Sequence, residues 1–155
     1  MTAYVAVIGA SQPTPDDAMV AEAVGRGLAE CGAIVVTGGR GGVMAAASRG
    51  AASAGGLVVG LLPGLDRSEA NDWVTVAIPT GLGELRNGLV VRAADAVVAI
   101  GGAYGTLSEI ALALQGGTPV FGLHTWPIEG VSEVDSPGEA ISAAFEAATA
   151  GGQHA

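Results

Sequence analysis

The chain has 155 residues, of which 50% are hydrophobic, and this length and apolar content predict one domain with a well-buried core. Fifteen acidic side chains against six basic ones give a net charge of −9, which repels a phosphodiester backbone and argues against a nucleic-acid partner. All six basic residues are arginines. The absence of lysine excludes a Walker-type P-loop and any pyridoxal phosphate enzyme, a lysine decarboxylase included.

No stretch of about 18 apolar residues runs without a charge or turn signal, and the first residues lack the basic region of a signal peptide. We therefore expect a cytoplasmic protein with no membrane partner. The single cysteine, Cys31, has no disulfide partner and is expected to be a small buried hydrophobic residue at a helix end. Together with His124 and His154 it shows no metal-ligand spacing, so no metal site is predicted.

Short apolar runs alternate with longer helical patterns along the chain. β-branched or apolar runs that end at glycine or proline predict strands at residues 4–8, 34–37, 57–62, 74–78, 96–100 and 119–123. Capping residues, alanine-rich segments and glycine stops predict helices at residues 15–31, 43–54, 84–93, 106–115 and 136–148.

This alternation predicts an α/β fold: a single Rossmann-like three-layer domain over residues 1–150, with a mostly parallel sheet of about six or seven strands flanked by helices. The tail, residues 151–155, is predicted to be disordered. Ligands of such sheets lie beyond the carboxyl ends of the strands. The loops after Thr37, Ile78 and Ile100 are expected to share that edge.

The loop after Thr37 resembles a phosphate-binding turn, because glycines let the backbone approach an anion and an arginine adds positive charge. It departs from the dinucleotide-binding fingerprint, since Met44 stands at the position of the last glycine. A tight strand-to-helix turn without a ligand is the alternative interpretation. The candidate binding residues are Gly38, Gly39, Arg40, Gly41 and Gly42.

The loop after Ile100 concentrates glycines, a hydroxyl and a carboxylate at one helix start. Its candidate ligand-binding residues are Gly101, Gly102, Ala103, Tyr104, Gly105 and Thr106, followed by Glu109. The spacing of Thr106 and Glu109 also fits a capping box, in which both side chains serve only to cap the helix. The spacing alone leaves the ligand role and the capping role open.

A third candidate region follows the predicted strand 74–78. Thr80 and Gly81 precede a helix that begins near Arg86 and Asn87, and an arginine there could hold a phosphate through two parallel hydrogen bonds. The alternative is an exposed arginine paired with a surface acid such as Glu84.

Taken together, these segments resemble a superfamily over roughly residues 4–123. It includes the "Lonely guy" phosphoribohydrolases, the molybdenum cofactor carrier proteins and the nucleotide-binding domain of the DNA-processing protein of bacterial transformation. The most specific part is ELRNGLVVRAADAVVAIGGAYGTLSE, from Glu84 to Glu109. The resemblance implies that Arg86 and Glu109 correspond to the catalytic residues of the hydrolases. It also implies that the phosphate of a nucleotide lies on Gly101, Gly102, Gly105 and Thr106.

Two residues depart from the hydrolase pattern: Asn87 stands where the hydrolases have lysine, and Ile100 where they have proline. The segments GRGGVMAAASRGA and IGGAYGTLSEIALAL and the Arg86–Asn87 pair are closer to the molybdenum cofactor carrier branch and its bacterial relatives. Within the superfamily, the resemblance therefore favours the carrier branch.

Two functions remain open at this stage. The favoured one is binding of a phosphorylated nucleotide-like or pterin ligand, with no required cofactor and with the molybdenum cofactor as a carried ligand. The alternative is hydrolysis of the N-glycosidic bond of nucleoside 5′-monophosphates, which releases base and ribose 5-phosphate. The resemblance also implies a homo-oligomer, for which the helices 43–54 and 106–115 offer small-residue surfaces.

Overall fold

The computed structural model describes residues 2–150, so the predicted disordered tail lies outside the described residues. Seven strands occur in this part of the chain: β1 (Tyr4–Gly9), β2 (Ile34–Thr37), β3 (Val58–Leu62), β4 (Val76–Pro79), β5 (Ala96–Ile100), β6 (Val120–Leu123) and β7 (Val131–Glu133). The helices there are α1 (Pro15–Glu30), α2 (Val43–Ser53), α3 (Asn87–Arg92), α4 (Tyr104–Gln115) and α5 (Pro137–Ala150), with 3₁₀ turns at Arg67–Glu69 and Gly83–Arg86.

The seven strands form one sheet in the order β4-β3-β2-β1-β5-β6-β7, and every neighbouring pair is parallel. Alternate residues of a strand enter different cores: Val5 and Val7 pack with α1, α2 and α5, whereas Ala6 and Ile8 pack with α3 and α4. The predicted single α/β domain is confirmed. No helix within residues 2–150 has the length and apolar character needed to cross a membrane.

Several element boundaries differ from the sequence prediction. Strand β7 was not among the predicted segments, and its three residues are at best half-buried at the sheet edge, which leaves little apolar pattern to detect. The predicted helix 84–93 is divided into the 3₁₀ turn Gly83–Arg86 and α3. Helix α4 begins at Tyr104, two residues before the predicted start at Thr106.

The capping-box interpretation of Thr106 and Glu109 is therefore wrong. The N-cap of α4 is Ala103, which offers no side-chain hydrogen bond, and Thr106 lies inside the first turn with only 3% of its surface exposed. The glycines before it let the chain enter the helix early, because Gly101 and Gly102 both have positive φ. Thr106 and Glu109 therefore do not cap α4.

Helices α1 and α2 pack closely through glycine. A Cβ atom at Gly25 would overlap the carbonyl oxygen of Ala47, and one at Gly50 would overlap that of Glu22. The small residues of α2 are thereby buried against α1 of the same chain, so this helix does not offer the free oligomer surface that the sequence suggested. Cys31 is another difference: it caps the exposed end of α1 and is itself exposed, not buried.

We predict that Gly25→Ala lowers the free energy of unfolding by about 1–3 kcal/mol, because the added methyl group forces the α1 and α2 backbones apart. Gly138→Ala is the matched control: it also replaces a helical glycine, and the atom nearest to the added Cβ is the Ser136 Oγ at 4.0 Å. The control should leave stability unchanged or raise it slightly. Urea unfolding followed by circular dichroism measures both, and equal stabilities for the two variants would contradict the packing argument.

Candidate functional site

A cavity of about 470 Å³ opens at the carboxyl ends of β1 and β5. These neighbouring strands flank the point where the strand order reverses, which is the usual ligand position in open parallel sheets. Residues 7–11 form one wall, and the loop after β2 with Met44 of α2 forms a second. The remaining wall comes from the 3₁₀ turn Gly83–Arg86 and the first turns of α3 and α4.

Arg86 is the central charged residue of this cavity and is 93% buried, with 7% of its surface exposed. Its Nη1 donates to the carbonyl oxygens of Gly38 and Leu61, the latter at 2.6 Å, and its Nε donates to Asn87 Oδ1 at 3.0 Å. A larger residue at position 38 would displace the guanidinium, because a Cβ atom there would collide with Nη1. The guanidinium is thus fixed by three neutral oxygens.

The positive charge of Arg86 has no ionic partner among residues 2–150. None of their carboxylates lies within ion-pair distance of its nitrogens. The Nη2 atom also donates no hydrogen bond to residues 2–150. Every fully buried side-chain nitrogen in this part of the chain has a hydrogen-bond partner, so Nη2 is not fully buried and is open to the cavity that Arg86 lines. Burial lowers the pKa of Arg86, with Glu109 and Glu84 opposing, but a guanidinium remains charged at neutral pH. The alternative of an exposed arginine paired with Glu84 is therefore excluded.

Helix α4 presents unused backbone donors beside this charge. The N–H groups of residues 102–106 donate no hydrogen bonds to the described residues, and the first turn of α4 carries no acidic side chain. Helix α1 differs, because the Thr14 hydroxyl accepts from the Asp17 N–H and two aspartates occupy its first turn. An uncapped helix start with free N–H groups favours an anion.

Glu109 lies on the cavity wall, on the same side of α4 as Thr106. Burial raises the pKa of the Glu109 carboxyl to about 8; the nearby Arg86 lowers it and Glu84 raises it further. The carboxyl is therefore mostly protonated at pH 7 and leaves the charge of Arg86 uncompensated. Thr106 Oγ1 and Asn87 Nδ2 also make no hydrogen bond to described residues, so both face the cavity as free polar atoms.

The structure brings together most, but not all, of the candidate residues predicted from sequence. The cavity lining contains Gly38, Arg40, Gly41, Arg86, Asn87, Ala103, Gly105, Thr106 and Glu109. The candidates outside it are Gly39, Gly42, Thr80, Gly81, Gly101, Gly102 and Tyr104.

Two of the candidates outside the lining stabilise a neighbouring loop through hydrogen bonds. Thr80 Oγ1 donates to the Leu62 carbonyl oxygen at 2.7 Å, and the Gly81 N–H donates to the Gly64 carbonyl, so this loop closes on the end of β3. Gly42 is the N-cap of α2. Tyr104 is 81% exposed.

Sequence reasoning missed one whole wall, residues 7–11 at the end of β1 and in the loop after it, and also Met44. The signal was available in part: the first strand of an open parallel sheet adjoins the switch point, so its following loop belongs at the ligand edge. Within residues 2–150, no group of three or more His, Cys, Asp or Glu side chains is arranged to hold a metal ion.

We predict that Glu109 makes stability fall as pH rises. The pKa of its carboxyl is near 4.5 in the unfolded chain and about 8 in the folded one. Between these values the folded state holds more protons, so the free energy of unfolding decreases with rising pH, by at most about 1.4 kcal/mol per pH unit from this group. Above the folded pKa the effect levels off.

The variant Glu109→Gln has no titrating group at this position, so it serves as the reference for the pH dependence that Glu109 contributes. Urea unfolding of both proteins at pH values from 5 to 9 should show a stability difference, wild type minus Glu109→Gln, that declines across the range. A difference that stays constant with pH would contradict the raised pKa.

The comparisons with known proteins agree with this geometry. The sequence profile of the SLOG cluster4 family matches residues 2–149. An uncharacterised protein from Archaeoglobus fulgidus is 41% identical over 139 residues, covering 89% of this chain and 91% of that protein.

Two solved structures are similar along almost their whole length. The molybdenum cofactor binding protein from the phototrophic bacterium Rippkaea orientalis superposes with a TM-score of 0.87 at 36% identity, over 94% of this chain and 97% of that one. The Moco carrier protein from Chlamydomonas reinhardtii superposes with a TM-score of 0.88 at 32% identity, over 97% of this chain and 99% of that one. With the profile match over nearly all of its residues, this chain belongs to the SLOG cluster4 family.

Proposed function

We propose that this protein binds a phosphorylated small molecule in the cavity between β1 and β5, and that it is a carrier of the molybdenum cofactor type. The observation that carries the proposal is the buried guanidinium of Arg86, which is held by neutral oxygens and directs Nη2 into the cavity. A buried charge without a counter-ion is unfavourable, so an anionic ligand gains by supplying one.

The phosphate of the ligand is best placed between Arg86 and the first turn of α4. Nη2, the Thr106 hydroxyl and the free N–H groups of residues 102–106 are donors of the kind that phosphate oxygens accept from. The neutral Glu109 carboxyl adds a further donor without repelling the anion. A volume of about 470 Å³ is within the usual range for small-molecule sites.

The similarity to proteins named for the molybdenum cofactor supports a pterin phosphate as the ligand class. The donors described here fit its phosphate group. Cys31, the only cysteine, lies exposed at the far end of α1 and not on the cavity wall. The proposed carrier therefore holds its cargo through the phosphate and the ring system and supplies no thiolate to the metal.

A second candidate, hydrolysis of nucleoside 5′-monophosphates, is supported by one observation. A carboxyl with a pKa of about 8 is protonated at neutral pH and lies in the same cavity as the phosphate donors, as a general acid for a departing base requires. The lysine of the hydrolases is replaced by Asn87. We rank this function second.

We predict that Thr106→Val weakens the binding of phosphorylated ligands about tenfold while leaving the folded state intact. The substitution keeps the shape of the side chain and removes a hydroxyl that makes no hydrogen bond to described residues, so its loss affects the ligand and not the fold. Isothermal titration calorimetry measures the change, with GMP and a reduced pterin phosphate as probes and guanosine as the control without phosphate.

Asn87→Asp tests the same site through charge. The substitution keeps the Oδ1 acceptor for Arg86 Nε and places a carboxylate oxygen where the free Nδ2 was, so the fold is retained while a bound anion is repelled. Binding of both phosphorylated probes should fall by more than tenfold. Unchanged affinity in both variants would locate the phosphate elsewhere and overturn the proposal.

Incubation with a panel of nucleoside 5′-monophosphates separates the two candidate functions. Free base, quantified by chromatography, would establish hydrolysis if it disappears in Glu109→Gln. Retained binding without base release supports the carrier. Mass spectrometry of small molecules that co-purify with the protein identifies the cargo.

A further inference from the structure

The loop that precedes α4 is held from outside the cavity by the segment after β6. The Leu123 carbonyl accepts a hydrogen bond from the Gly101 N–H at 2.9 Å. The Thr125 hydroxyl donates to the Gly101 carbonyl oxygen at 2.7 Å, and the Trp126 indole N–H donates to the Ala103 carbonyl oxygen at 3.1 Å. The Ala103 carbonyl oxygen also accepts the first helical hydrogen bond of α4, from the Leu107 N–H at 3.0 Å. Two neighbouring side chains thus engage two carbonyl oxygens of the same loop.

The direction of these carbonyl groups fixes the direction of the adjacent N–H groups. In a planar trans peptide the C=O of one residue and the N–H of the next point in opposite directions, and no cis peptide occurs in the described chain. Because the carbonyls of Gly101 and Ala103 face Thr125 and Trp126, the N–H groups of residues 102 and 104 point away from them. These two N–H groups have no partner in residues 2–150.

The cavity lies on the side of α4 away from Trp126. Gly102 and Tyr104 are not part of its lining, but they adjoin it: a Cβ atom at Gly102 would overlap the side chain of Thr106, which lines the cavity. Tyr104 and Glu109 project from different sides of α4, since five residues at 3.6 per turn separate them by about 140° around the helix axis. The Tyr104 ring stacks on Trp126 with ring centroids 6.2 Å apart and an interplanar angle of 27°. Glu109, on the other side, lines the cavity.

The loop needs such an external hold because its own backbone is permissive. Gly101 has φ of 57° and Gly102 has φ of 114°, and consecutive glycines allow the intervening peptide to rotate between several orientations. In the rotated orientation a carbonyl oxygen would face the anion site instead of an N–H group, and it would repel a phosphate.

We propose that Thr125 and Trp126 are positioning residues for the phosphate: Thr125 engages the carbonyl oxygen of Gly101, Trp126 together with the Leu107 N–H engages that of Ala103, and the loop's N–H groups are thereby kept directed at the anion. This inference rests on the proposed function, because it concerns the same phosphate site. Neither side chain lines the cavity. Their effect reaches it through the orientation of two peptide groups.

The experiment is a nitrogen-15 chemical-shift titration with inorganic phosphate, at constant ionic strength against chloride. In the wild type, the amide signals of residues 102, 104 and 105 should shift on adding phosphate. Thr125→Val keeps the shape of the side chain and removes its donor, and Trp126→Phe keeps an aromatic ring on Tyr104 and removes the indole N–H. Each should raise the Kd for phosphate about tenfold and reduce the shifts at residues 102 and 104.

Two further variants separate a positioning role from a structural one. Thr125→Ser restores the hydroxyl and should restore the wild-type Kd. Trp73→Phe replaces the other tryptophan, whose ring packs beside Arg49 at 5.7 Å, and should leave the Kd unchanged. In that variant Trp126 is the remaining tryptophan, and its emission should change on adding phosphate.

The outcomes distinguish failure of the inference from failure of the proposed function. If the wild type binds phosphate and Thr125→Val and Trp126→Phe bind it equally well, the positioning role is wrong and the proposed function stands. If both variants lose affinity only in parallel with Tm, and Thr125→Ser restores neither, the role is structural and the inference is overturned. If phosphate shifts no loop amide of the wild type, both proposals fall.

Discussion

The arrangement of the cavity depends on the way Arg86 is held. Its guanidinium joins the ends of β2 and β3 to the start of α3 through the carbonyl oxygens of Gly38 and Leu61 and the amide oxygen of Asn87. Carbonyl dipoles offset part of the cost of removing the charge from water, but unlike a carboxylate they do not cancel it. The same contacts that fix the loops therefore leave a net positive charge inside the cavity, already oriented before any ligand arrives.

The starts of helices α5 and α4 differ in how their backbone N–H groups are satisfied. In α5 the Ser136 hydroxyl accepts from the Glu139 N–H, and the Glu139 carboxylate accepts from the Asp135 N–H, so this start is satisfied by its own side chains. Helix α4 lacks such contacts, although Thr106 and Glu109 have the same spacing. The stabilisation of about 1 kcal/mol that a cap would contribute is absent at the helix that faces the cavity, and an anion can provide it instead.

This pair of helices also shows how far sequence reasoning reaches. Apolar strands, glycine stops and their alternation were enough to predict a parallel α/β domain, because those signals are local. The spacing Ser/Thr-x-x-Glu could not decide between a cap at residues 136–139 and a cavity wall at residues 106–109, since the outcome depends on where the preceding residues let the helix begin. Two of the hydrogen-bond partners of Arg86 are backbone carbonyls 25 and 48 residues away in the sequence, and no sequence pattern predicts such contacts.

The distribution of charge bears on which anions the proposed site would accept. A net charge of −9 disfavours the approach of an extended polyanion, and in solution at about 0.1 M salt the repulsion between exposed charges decays over about 10 Å. Within the cavity the balance is reversed, because Arg86 is cationic while burial keeps the neighbouring Glu109 mostly protonated at neutral pH. A small anion that enters the cavity experiences this local charge more than the distant acids. The proposed preference for a small phosphorylated molecule therefore rests on the burial of Arg86, the one buried arginine of the described chain.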